Sequence, residues 1–125
     1  MERHYDTHHT HFGRANVAIH RVAALVRLHE AGAALDFAAT IRHDALAGLP
    51  PERRANFLLD LTEANARRGD FAEASRTLAR AERTAPQEVH CRPLAHGLLR
   101  VLLSNTTGEP ARAVERMARR AGVPA

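Results

Sequence analysis

The stretch RRGDFAEASRTLARAERTAP, residues 67–86, decides the fold class. It reads as the end of one helix, a turn at Gly69-Asp70, a second helix, and a stop at Pro86. Phe71, Ala74, Leu78 and Ala81 recur at helical spacing, so they share a face. Just upstream, PERRANFLLDLTEANARR begins with Pro51, whose missing N–H is not needed in a first helical turn. Two helices joined by so short a turn must pack side by side and antiparallel. The stretch therefore predicts a helical hairpin.

Outward from this hairpin the chain keeps the same character. It has 125 residues, enough for one domain with a core that needs no disulfide or metal. Apolar residues make up 45% but aromatics only 4%, and Ala, Leu and Val dominate, which favours helix over strand. The first helix is expected to start at Asn16 as N-cap, with Val17, Leu25 and Leu28 on its apolar stripe and Val22 close by. A turn at Glu30–Gly32 leads into AALDFAATI, and RHDALAGLPP reads as a loop with room for one helical turn. After Pro86 one helix is expected through EVHCRPLAHGLLRVLL, with Pro93 in its first turns, then a last helix PARAVERMARRAG ending at Gly122 before a frayed tail. The expectation is all-α: about six helices as stacked antiparallel hairpins, with residues 1–13 a polar leader and 14–122 the helical domain.

Self-comparison supports stacking. RAN at 14–16 recurs at 54–56, an offset of 40. At that offset Ala24 meets Ala64, Arg27 meets Arg67, Ala34 meets Ala74 and Val17 meets Phe57. The second unit resembles a tetratricopeptide repeat, carrying Gly69-Asp70 at the turn, Ala74, Leu78, Ala81 and the closing Pro86. The resemblance implies that a small residue, Ala74, sits where the two helices cross, because a larger one would push the backbones apart. Asn65 stands where that family often has an aromatic in its first helix. Across nearly the whole chain, FGRANVAIHRVAALVRL, the LPPERRANFLLDLTEANARRGDF segment and ERMARRAGV are similar to the C-terminal helical-repeat region of actinobacterial helix-turn-helix regulators of the XRE type. There is no room before Phe12 for a DNA-binding module, so what the resemblance implies is the sensing or partner-binding half alone.

Candidate chemistry follows from the hairpin map. In stacked hairpins the first helix of each pair lines one face, which gathers Asn16, His20 and Arg27, then Asn56, Asp60, Glu63 and Arg67, with Arg100 continuing it. Asn grips an extended peptide through its amide, and Arg takes a carboxylate in a forked hydrogen bond. The bland alternatives are that Asn16 and Asn56 flank helix starts and that the arginines decorate helix ends. His4, His8 and His11 have metal-ligand spacing if helical, but Thr7, Thr10 and Phe12-Gly13 favour an irregular leader, so no cofactor is expected.

Other classes are disfavoured. The lone Cys91 excludes an internal disulfide and a Cys-based zinc site, and reads as a buried or half-buried helix residue rather than a nucleophile. Net charge is +4, all of it carried by Arg and none by Lys, and the pairs Arg53-Arg54, Arg67-Arg68 and Arg119-Arg120 fall in different helices without aromatics between them; direct nucleic-acid binding is not expected. No signal peptide or apolar span is present, which suggests a cytoplasmic location. No catalytic constellation stands out. The leading expectation is a non-catalytic module that binds a protein or peptide. The alternatives are a small-molecule-sensing fragment of a regulator, and an accessory protein or enzyme of natural-product biosynthesis. The open ends of the stack make a homodimer a candidate assembly.

Overall fold

The computed structural model describes residues 2–125, with side chains from Gly13 onward. Eight helices run along the described residues: α1 (Glu2–Arg27), α2 (Ala31–Ala38), α3 (His43–Ala47), α4 (Pro51–Arg67), α5 (Phe71–Thr84), α6 (Pro86–His90), α7 (Pro93–Asn105) and α8 (Gly108–Ala121). There is no strand among them.

Three sequential pairs, α1/α2, α4/α5 and α7/α8, pack along each other as hairpins, with α4 also against α1 and α7. The hairpin read from residues 51–84 forms as expected. Asp70 caps α5 by accepting from the Glu73 amide at 3.2 Å. Ala74 is fully buried on the α5 side of that hairpin. At the turn, Gly69 has φ 80°, the left-handed conformation that ends many helices and that only glycine adopts freely.

The first hairpin turns in the same way. Leu28 donates to Ala24 O at 3.0 Å, His29 to Val26 O at 3.0 Å and Glu30 to Leu25 O at 2.9 Å. Forty positions on, Arg68 donates to Ala64 O at 3.1 Å, Gly69 to Ala66 O at 2.9 Å and Asp70 to Asn65 O at 2.9 Å. His29 occupies the left-handed position of Gly69, with φ 61°. Ala34 and Ala74, matched at the same offset, are both fully buried.

Two cores share α4. One joins Leu58 and Leu59 of α4 to Leu78, Val89, Leu99, Leu102, Val114 and Met117. The other joins Phe57 and Ala64 to Ala15, Ile19, Val22, Val26, Ala34 and Leu49. Leu61 packs against both. The helix is thus enclosed on most sides, which is why Thr62 and Asn65 within it are buried and turn their polar groups back to the Leu58 and Leu61 carbonyls.

Several expectations are corrected. Helix α1 begins at Glu2, so Asn16 lies mid-helix and caps nothing. Its buried stripe is Ala15, Ile19, Val22 and Val26, whereas Val17 and Leu28 are 68% and 70% exposed. Val17 occupies the repeat position of the buried Phe57, but among the described residues α1 packs mainly toward α2, α3 and α4, and Val17 stays exposed. The chain after Pro86 forms two helices, not one. Proline at position 93 removes a helical N–H and drives Arg92 to an extended ψ of 132°, so α6 ends and α7 restarts with Pro93 in its first turn. Cys91 falls in that break and is exposed rather than buried. The one helical turn allowed for in the loop before Pro51 does form, as the short α3. Gly122, with φ 76°, ends α8, and Val123 then folds back, donating to Ala118 O at 2.8 Å and burying its side chain instead of fraying.

Candidate functional site

One face of α4 carries a continuous polar row at helical spacing: Arg53, Asn56, Asp60, Glu63 and Arg67. Helix α1 flanks it on one side and the α6–α7 break on the other. Arg53 Nη1 donates to Asn16 Oδ1 across from α1. Asn56 Nδ2 donates to Glu52 O at 2.7 Å and to Glu88 Oε1 at 2.9 Å. Glu88 Oε1 also accepts from Arg92 Nη1 at 3.1 Å. At the far end Arg67 pairs with Glu63 through Nε at 2.9 Å and Nη2 at 2.7 Å, and its Nη1 meets His29 Nδ1.

Asp60 sits in the middle of this row and is half-buried. Its carboxyl is pushed up from the ordinary aspartate value of 3.8 to about 6. Burial is the main cause; Arg27 and Arg92 pull it down and Glu63 pushes it further up. Desolvation therefore outweighs two nearby guanidinium groups. Neither of them is close enough for a hydrogen bond, so Asp60 lacks a side-chain hydrogen bond among the described residues. The carboxylate is held in a cationic setting with unused acceptor capacity.

The eight residues expected on this face divide into two groups. Asn16, Asn56, Glu63 and Arg67 are engaged with neighbouring side chains, and both donors of the Asn56 amide are used. His20, Arg27 and Arg100 are exposed and make no side-chain hydrogen bond or ion pair among the described residues, while Asp60 joins them as the buried member. Arg27 is an electrostatic neighbour of Asp60. His20 falls between Asn16 and Arg27 on the same stripe of α1, and Arg100 lies on α7, two turns beyond Arg92. Sequence reasoning missed Glu88, Arg92, Arg53 and His29. Glu88 and Arg92 flank a helix break that the apolar spacing did not reveal, and the other two matter only because α1 and α4 lie side by side.

A second polar cluster ties the last two hairpins together. Glu82 of α5 accepts from Arg120 Nε and Nη2, both at 2.7 Å, and from His90 Nε2 at 2.7 Å. The Arg120 hydrogen bonds, with help from His90, hold its carboxyl below the usual glutamate value. This arrangement fastens α8 and α6 to α5.

No group of three or more His, Cys, Asp or Glu is placed to hold a metal ion among the described residues. The side chains of His4, His8 and His11 lie outside the described residues. No described helix is long and apolar enough to cross a membrane. Set against protein-family models, curated proteins and solved structures, the chain matches none of them.

Proposed function

We propose that the chain is a non-catalytic, tetratricopeptide-like stack of helical hairpins that holds an extended segment of a partner protein. The segment lies along the polar row of α4, between α1 and α7. The observation that carries this reading is Asp60: half-buried, between Arg27 and Arg92, and without a hydrogen-bond donor of its own. A backbone N–H of an extended peptide supplies the donor that Asp60 lacks, and Arg27 and Arg100 offer forked hydrogen bonds to an acidic side chain or a terminal carboxylate. Its role on this reading is regulatory or accessory. The exposed Val17 on α1 and Leu28 just past its end support a homodimer as its assembly.

The test is a selection of displayed random peptides on the intact protein, followed by binding of an enriched peptide to variants. Arg27→Ala and Asp60→Asn should each weaken binding about tenfold or more, the scale of a lost charge-assisted hydrogen bond. Arg83→Ala, on the exposed side of α5, should leave it unchanged. Failure to enrich any peptide, or binding indifferent to both substitutions, refutes the reading.

A further inference from the structure

Helix α4 has a second open side, turned away from the polar row. There α3, α4 and α5 enclose a cleft of about 210 Å³. Its apolar surface includes Leu46, Phe57 and Leu58. Its polar groups are His43, Arg54, Arg80 and Thr84, so the lining contains two guanidinium groups and no carboxylate. Among the described residues neither guanidinium pairs with an acid, unlike those of Arg42, Arg67, Arg76, Arg92, Arg112 and Arg120.

The two cleft arginines differ in kind. Arg54 is fixed: its Nη1 donates to Leu49 O at 2.6 Å and Ala47 O at 3.4 Å, clasping the segment between α3 and α4. That leaves its other N–H groups as oriented donors. Arg80 makes no side-chain hydrogen bond or ion pair among the described residues. Thr84 gives its hydroxyl proton to the Arg80 carbonyl at 2.8 Å, so it adds no donor for a ligand. Recognition of charge therefore falls to Arg54 and Arg80, with His43 beside them.

We propose that this cleft binds a small carboxylate with an apolar body, the acid group on Arg80 and Arg54 and the body against Phe57, Leu46 and Leu58. A cleft of this size is smaller than the roughly 300–1,000 Å³ of drug-sized sites, which limits the body to one or two rings or a short acyl chain. The site is separate from the polar row of Asp60 and does not depend on what that row holds.

The probe is 2-naphthoate, with neutral 2-naphthamide as its isostere, titrated into the full chain and followed by amide chemical shifts. Naphthoate should move the signals of His43, Phe57 and Thr84, and naphthamide should bind about tenfold more weakly. Arg80→Gln removes an exposed cation without touching the core, and should weaken naphthoate about tenfold while leaving naphthamide unchanged. Arg27→Ala, on the opposite side of α4, should bind naphthoate as the unaltered chain does. Three results would each overturn the proposal: no naphthoate binding at millimolar concentration, shifts centred elsewhere, or equal binding of acid and amide.

Discussion

Replacing Asp60 with Asn removes a carboxylate that the folded chain holds at a disadvantage. Burial raises its pKa by about two units, to about 6. Each unit corresponds to about 1.4 kcal/mol, which sets an upper limit near 3 kcal/mol on the penalty for the ionised form. Solvent reaches part of the group and screens it, so an effect of about 1–2 kcal/mol is the expected size. The sign follows from proton binding. The folded state binds the Asp60 proton more tightly than the unfolded chain, so this residue favours folding most below the unfolded value near 4 and progressively less as pH rises through about 6. The amide of the Asp60→Asn variant does not titrate and would carry no such slope. Urea unfolding of both proteins at intervals from pH 4.5 to pH 8 measures it. The stability gain of Asp60→Asn should be small at the acid end, grow through pH 6 and level off above pH 7. A difference that does not change with pH, or a variant less stable than the parent at pH 8, would refute the argument. The same substitution is expected to weaken peptide capture, so stability and binding should move in opposite directions, as they do where a site is held ready for a ligand.

Three further substitutions probe the scaffold. Gly97 lies inside α7 with open space where a Cβ would project, so Gly97→Ala should stabilise the chain by about 1 kcal/mol, read as a rise in urea midpoint. Asp70→Ala removes the α5 cap and should cost about 1 kcal/mol by the same measurement. Glu82→Gln weakens the tie to Arg120 and His90 and should cost about 1–2 kcal/mol at neutral pH. Because the folded chain holds Glu82 below its ordinary value, that difference should persist above pH 5 and vanish as pH falls through the lowered value.

The second hairpin could be read from residues 51–86 because its signals are local. Proline, Gly69-Asp70 and an evenly spaced apolar face each act within a few residues. The first helix was harder. Val17, Ile19, Val22, Leu25, Val26 and Leu28 are all apolar, and the sequence alone does not say which of them a neighbour covers. Packing against α2 and α4 chose Ile19, Val22 and Val26 and left Val17 and Leu28 in solvent. The same limit applies to the site. Arg27 and Asp60 were found together because the offset of 40 placed them on matching helices. Arg92 and Glu88 belong to no periodic pattern and reach the row only because the chain breaks at Pro93. The cleft was missed entirely, since His43, Arg54 and Arg80 come from three helices whose meeting depends on the tertiary fold.

Helix α4 touches both cores, lines the cleft with Arg54, Phe57 and Leu58, and presents the polar row on its remaining side. Such a helix has few positions where a chance substitution would pass unnoticed. The outer faces of α2 and α8, where Ala33, Asp36, Glu115, Arg116 and Arg119 meet solvent, have many. Drift in descendants of this chain should therefore accumulate on the flanking hairpins, and residues 51–67 are the segment by which a distant relative would still be recognised.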